Sequence, residues 1–233
     1  MTGRIHSFQS LGTADGPGVR AVVFMQGCPL RCACCHNPDT WSFDGGTEVS
    51  AEEIFAKIKR LKNYFGKTGG VTVSGGEPLM QPEFIKELFT LCKNDGITTA
   101  IDTSGCVLND NIKEVLKLTD TVLLDYKFIT DELYKEKVGC EKLKVDEFLE
   151  YLNRQNIDTW IRQVIIKDLN NTESSVKVLK ELKEQYSCIK KIELLPFKKL
   201  CIEKYEKLNI PFPLKETPET TKQEIEKLTE YLK

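Results

Sequence analysis

Four cysteines fall within eight residues, Cys28-Pro-Leu-Arg-Cys32-Ala-Cys34-Cys35, and no other segment concentrates so much reactive chemistry. Read with Cys28, Cys32 and Cys35 as ligands, the spacing is Cys-x₃-Cys-x₂-Cys: three thiolates with no obvious fourth. A cubane [4Fe–4S] cluster ordinarily takes four thiolates, so three leave one iron open to a small molecule. An open iron turns an electron carrier into a reagent. Two rivals stand beside this reading. Structural zinc wants four ligands, usually as two separated Cys-x₂-Cys pairs. Here Cys34 or His36 would have to complete the set, although Cys34 and Cys35 are adjacent and point in diverging directions. The other rival is an electron-transfer cluster closed by a remote cysteine, drawn from Cys92, Cys106, Cys140, Cys188 and Cys201. Taken singly, these five read as buried reduced thiols behaving as small hydrophobes.

The elements that must position this chemistry follow from periodicity. Short β-branched runs at 20–26, 70–74, 98–102, 120–125, 159–166 and 190–196 alternate with amphipathic segments. Helices are expected over 50–62, opened by a Ser50-x-x-Glu53 capping signal, and over 81–94, 110–117, 144–153, 172–185 and 218–232. Strands that alternate with helices build a parallel sheet through right-handed crossovers. Special residues gather where the strands end, at Ser74-Gly75-Gly76-Glu77, Asp102-Thr103 and Asp125-Tyr126-Lys127. Ligands bind at the carboxyl ends of strands in barrels and open α/β sheets, so these residues and the cysteine loop are expected on one rim. The stretch 196–218 breaks the rhythm and reads as an irregular flap.

Composition bounds the function. With 40% hydrophobic and 29% charged residues, the 233-residue chain suits an enzyme with one sizeable core. Its net charge of −2 gives no electrostatic footprint for nucleic acid. No run reaches the roughly 18 apolar residues of a membrane helix, and the polar start Met1-Thr2-Gly3-Arg4 is unlike a signal peptide. A cytoplasmic location and no membrane partner are therefore expected, and the absence of a heptad leans toward a monomer.

Cys28-x₃-Cys32-x₂-Cys35 followed by Gly75-Gly76-Glu77-Pro78 resembles the radical S-adenosylmethionine (SAM) superfamily. Gly3-Arg-Ile-His-Ser-Phe8, Gly12-Thr-Ala-Asp-Gly-Pro-Gly-Val-Arg20, Cys35-His-Asn-Pro-Asp-Thr-Trp41, Leu123-Leu-Asp-Tyr-Lys127, Trp160-Ile-Arg162, Lys191-Ile-Glu-Leu-Leu-Pro-Phe197 and Tyr205-x-x-Leu208 resemble its glycyl-radical enzyme activases, in the branch that acts on pyruvate formate-lyase. No cysteine lies between Cys35 and Gly75, so the extra cluster insert of other activases is absent.

The resemblance implies a single-domain α/β fold, a partial (β/α)6 TIM-like barrel over 1–233, with the cluster loop at 26–41 and a C-terminal flap and helix at 196–233. It implies an enzyme that installs a glycyl radical on pyruvate formate-lyase under anaerobic conditions. Reductive cleavage of SAM at a [4Fe–4S] cluster would provide the 5′-deoxyadenosyl radical, with flavodoxin or ferredoxin as electron donor. Cys28, Cys32 and Cys35 would hold the cluster. Cys34, His36, Gly75, Gly76, Glu77, Tyr126 and Lys198 would belong to the cofactor site. Lys127 would pair with the ligand carboxylate as a point charge, Asp125 would accept from ribose hydroxyls, and Arg162 and Val164, alternating on a strand, would lie near the adenosine. The glycines are expected to let backbone approach the ligand amine, where a Cβ would intrude. Asp102, Thr103 and Asp125 resemble oxygen ligands of a monovalent cation, and Asp15 a contact for the partner's glycyl loop. Two positions depart from the pattern: Cys34 stands where an aromatic residue is usual, and Lys198 where a histidine is. Lysine donates but cannot accept a hydrogen bond, so a weaker ligand contact is expected there. The alternatives are an activase of another glycyl-radical enzyme, such as anaerobic ribonucleotide reductase or another lyase, and a non-catalytic iron–sulfur or zinc protein.

Overall fold

The computed structural model describes all 233 residues, and its contacts gather into two compact units. The first comprises Met1–Pro29, Thr40–Thr103 and Val107–Leu123; the second comprises Leu30–Asp39, Ser104–Cys106 and Leu124–Lys233.

The first unit carries β1 (Thr2–Gly12), β2 (Arg20–Met25), β3 (Thr47–Ser50), β4 (Gly70–Gly75), β5 (Thr98–Thr103) and most of β6 (Thr121–Asp125), in the order β3-β1-β2-β4-β5-β6. β2, β4 and β5 run parallel, as the alternating pattern predicts. Ala21, Val23, Val71, Val73, Ala100 and Ile101 are fully buried, which is the near-continuous apolar reading of a sheet covered on both faces. Helix α1 (Ala51–Arg60) starts at a capping box in which Ser50 accepts from the Glu53 N–H and Glu53 from the Ser50 N–H. Helix α2 (Pro82–Asn94) buries Phe84, Ile85, Leu88 and Phe89, and α3 (Asp110–Leu116) buries Ile112, Val115 and Leu116.

Two strands here are absent from the sequence reading. β1 and β3 pair antiparallel, β1 with both β2 and β3. The register of β1 shifts between Ile5 and Ser7 and again between Gln9 and Gly12. Such bulges insert residues into a strand and erase the period-2 alternation by which strands are read.

The second unit takes the end of β6 and continues with β7 (Asp158–Ile165) and β8 (Ile189–Pro196), parallel to each other. Helices α5 (Lys142–Arg154) and α6 (Glu173–Gln185) fall where amphipathic spacing places them. The C-terminal helix α8 is shorter than expected, Lys222–Thr229, because a capping box at Thr221 and Glu224 sets its start beyond Pro218. Two short helices are new: α4 (Asp131–Lys137) and α7 (Ile202–Lys207), the latter inside the stretch read as an irregular flap. At seven and six residues they are too short for a hydrophobic period to show. No helix is long and apolar enough to cross a membrane.

Candidate active site

β2 delivers the chain into the cysteine loop. Its exit is fixed by backbone bonds from Gly27 N–H to the Thr40 carbonyl (2.8 Å) and from Cys28 N–H to the Trp41 carbonyl (3.2 Å). In the second unit the loop is held along α4, with Arg31 N–H on the Val138 carbonyl (3.2 Å) and Ala33 N–H on the Lys137 carbonyl (2.7 Å). Cys35 N–H closes a turn onto the Cys32 carbonyl at 3.0 Å, and Asn37 N–H donates to Cys35 Sγ at 3.4 Å. All nine cysteines are free thiols, and the four in the loop are half-buried while the other five are buried. No group of three or more His, Cys, Asp or Glu side chains is gathered to hold a metal ion.

At the end of β4 the chain turns through Gly75, whose φ of 106° lies in the left-handed region that favours glycine. A Cβ on Gly75 would stand 2.4 Å from the Met25 nitrogen, and one on Gly76 2.4 Å from the Gly27 carbonyl oxygen. Gly76 and Glu77 donate their N–H groups to the Met25 and Gly27 carbonyls, each at 2.9 Å. The sequence reasoning attributes these glycines to the approach of a ligand; their nearer cause is the chain's own backbone at the exit of β2. The Glu77 carboxylate is 2% exposed, accepts from Thr103 Oγ1 at 2.7 Å and caps the following 3₁₀ turn through Leu79 N–H at 3.2 Å. Asp102 accepts from Ser74 Oγ at 2.8 Å. Asp15 lies in the loop entering β2, where its carbonyl accepts from Thr72 Oγ1 at 2.6 Å. The whole of β2 separates it from the cysteine loop.

In the second unit the end of β6 sorts its side chains by alternation. Asp125 and Lys127 share one face and pair at 2.7 Å. Tyr126, between them, is fully buried on the other face with its hydroxyl donating to Asp146 at 2.8 Å. Arg162 and Val164 project from β7 into the same small open pocket as Asp125 and Lys127, completed by Cys34, Phe128 and Ile166. Sequence reasoning missed the last two; Ile166 extends the 162/164 alternation by one step and was legible on that ground. It also missed Asn170, 1% exposed, which ties the pocket wall together. Asn170 donates to the Lys127 and Val164 carbonyls (3.2 and 2.8 Å) and accepts from the Ile166 N–H at 2.7 Å.

Electrostatics sets a held ammonium and a neutral thiol side by side in the pocket. Burial opposes a charge on Lys127, yet Asp125 and the Cys32 and Cys34 sulfurs hold its ammonium well above the ordinary lysine range. Desolvation pushes the Cys34 thiol up to about 11, more than the nearby Lys127 charge lowers it. Two expected site residues lie elsewhere. Lys198 Nζ pairs with Glu219 at 3.0 Å on the surface, and His36 donates Nε2–H to the Lys198 carbonyl at 2.9 Å.

A loop of three cluster-spaced thiols and a strand-end pocket carrying a buried cation define a class, and the comparisons agree. The family profile of the radical SAM superfamily matches residues 22–182, and the chain belongs to that superfamily. Within it the chain groups with the pyruvate formate-lyase-activating enzymes. It is 47% identical over 234 residues to the "Pyruvate formate-lyase-activating enzyme" of Clostridium pasteurianum, covering 100% of this chain and 98% of that one. The "Pyruvate formate-lyase 1-activating enzyme" of Escherichia coli K12 is 42% identical over 178 residues, 75% of this chain and 72% of that one. Among solved structures, a radical SAM methyltransferase from Sphaerobacter thermophilus shares the fold with a TM-score of 0.68 at 16% identity, over 95% of this chain and 65% of that one.

Enzymes of this family use a [4Fe–4S] cluster and S-adenosylmethionine. The donor chemistry suits both: thiolates are the ligands iron–sulfur clusters take, here supplied by one loop although not drawn into a three-ligand group, and Lys127 beside Asp125 offers a fixed cation and a hydrogen-bond acceptor to a zwitterionic nucleoside.

Proposed function

We propose that this chain activates pyruvate formate-lyase by generating a glycyl radical on it. Identity of 47% along the full length to an enzyme named for that activity is the observation that carries the reading. When bound, the cluster and SAM supply the 5′-deoxyadenosyl radical that takes a hydrogen atom from the partner's glycine.

The chain's own residues bind, orient and exclude. Cys28, Cys32 and Cys35 hold the cluster through three thiolates. Lys127 receives the methionyl carboxylate of SAM, where a fixed ammonium acts as a point charge. Asp125 would accept from the ribose hydroxyls, and Arg162 and Val164, with the apolar Phe128 and Ile166, would border the adenosine. Gly75, Gly76 and Glu77, whose N–H groups at 76 and 77 are already bonded, would offer backbone carbonyls to the methionyl amine. Cys34 would border the adenosine with a neutral thiol. Asp102, Thr103 and Asp125 would supply oxygen donors to a monovalent cation. Flavodoxin or ferredoxin delivers the electron, in the cytoplasm, where cysteines persist without disulfides.

The test is anaerobic reconstitution, reduction with dithionite or flavodoxin, and incubation with SAM and pyruvate formate-lyase. Formation of 5′-deoxyadenosine together with a glycyl signal in electron paramagnetic resonance is expected. An intact cluster that yields no 5′-deoxyadenosine overturns the enzymatic reading. Product without a radical on pyruvate formate-lyase redirects the enzyme to another glycyl-radical partner.

A further inference from the structure

Three side chains, Lys204, Tyr205 and His36, join the C-terminal stretch after β8 to the cysteine loop, and none of their contacts uses a side chain expected to bind metal. Lys204 Nζ reaches Asn37 Oδ1 at 2.8 Å and Asp39 Oδ2 at 3.0 Å. Tyr205 donates its hydroxyl to the Cys35 carbonyl at 3.2 Å. His36 donates to the Lys198 backbone carbonyl at 2.9 Å. Tyr205 is 1% exposed and its ring lies 4.9 Å from that of Phe212, which in turn stacks on Phe197 at 6.2 Å.

These contacts land on consecutive residues, Cys35, His36 and Asn37, and then on Asp39. The peptide after Cys35 is thus gripped through its carbonyl, the His36 and Asn37 side chains and the Asp39 carboxylate, all from the stretch 198–205, which is anchored in an aromatic core. The Asn37 N–H that donates to Cys35 Sγ lies inside the gripped stretch. N–H groups aimed at cluster sulfurs set the potential and the lability of a cluster.

We propose that Lys204 and Tyr205 on α7 are positioning residues for the cluster: they hold the Cys35–Asp39 segment so that the Cys35 thiolate and the Asn37 N–H keep one geometry. The proposal rests on the reading of Cys28, Cys32 and Cys35 as cluster ligands. It makes the stretch 198–205 a strap on the cysteine loop. At position 198 the strap uses a backbone carbonyl, so the identity of that side chain is immaterial to the grip.

The experiment uses the full chain, reconstituted anaerobically with iron and sulfide, and follows iron release to a ferrous chelator alongside the melting temperature of the apo protein. Wild type is expected to hold about four iron atoms. Tyr205→Phe keeps the ring and removes one hydrogen bond; Lys204→Met removes the double contact. Each is expected to speed iron release about three- to tenfold, the range one lost hydrogen bond sets. The apo melting temperature should move little, Lys204→Arg should restore slow release, and Lys198→His should release iron like wild type. Release at the wild-type rate in both variants overturns the strap while leaving the cluster reading intact. Faster release matched by an equal loss of apo stability in both variants also overturns it, because the residues would then serve the fold alone. A wild-type chain that binds no iron, or retains it with Cys35→Ser, overturns the cluster reading itself.

Discussion

Lys127 Nζ lies 2.7 Å from Asp125 Oδ2, two residues apart on one face of a strand end, with the side chains 17% and 32% exposed. The pair makes Lys127 a permanent cation in a pocket where burial alone would favour neutral amine. A lysine whose folded pKa is raised contributes its stabilisation fully below the ordinary lysine value and loses it only as pH rises through the folded value. The group therefore carries its charge across the whole neutral range. Lys127→Met is expected to weaken SAM binding to the reconstituted protein by about 10- to 100-fold, the loss of one charge-assisted contact. Equilibrium binding between pH 6.5 and 9 should show the wild-type affinity free of a lysine titration.

Asn170→Leu removes an amide that satisfies two carbonyls and one N–H around the same pocket. Leaving such groups buried without partners costs about 1–3 kcal/mol each. The variant is expected to lower urea stability and to weaken SAM binding together; unchanged values of both would contradict the role given to Asn170.

Replacing Thr103 by Val leaves the Glu77 carboxylate, 2% exposed, short of its 2.7 Å donor. A loss of about 1–3 kcal/mol is expected from denaturant unfolding of the apo chain. A neighbouring Gly76→Ala should do worse, since its Cβ would sit 2.4 Å from a carbonyl oxygen.

Cys92, fully buried on α2, has its thiol pushed up to about 12 by burial, with Asp95 adding to the shift. The unfolded chain ionises this thiol near 8.5–9, so between that value and the folded one the native state binds more protons than the unfolded state. Stability should fall as pH rises above about 9. Melting scans of apo protein from pH 7 to 10.5 should show the decline, and Cys92→Ala should flatten part of it.

Cys34→Ser is expected to leave iron content unchanged, whereas Cys35→Ser should abolish stable loading; colorimetric iron assays on reconstituted chains separate the two. Lys198→His should bind SAM with wild-type affinity, because the Lys198 ammonium pairs with Glu219 at the surface and is no part of the pocket wall. A higher SAM affinity in Lys198→His would support the weaker contact expected from the sequence.

Much of this protein is written locally. The three-cysteine spacing, the Gly75-Gly76-Glu77 turn and the parallel strands β2, β4 and β5, and β7 with β8, were all legible, since each depends on residue type at short range: thiol spacing, glycine's freedom at positive φ, apolar runs between helical periods. What the local pattern leaves open is direction and long-range partnership. Only the folded chain decides that Tyr126 turns to Asp146 while Asp125 and Lys127 share the pocket, that Asp15 sits at the entrance of β2, and that the two glycines are crowded by the backbone of β2. The same holds for Lys204 and Tyr205, which meet Asp39 and Cys35 across some 165 and 170 residues of sequence. Hydrogen bonds of such separation leave no period or motif in the chain; they exist once packing has brought the two stretches together.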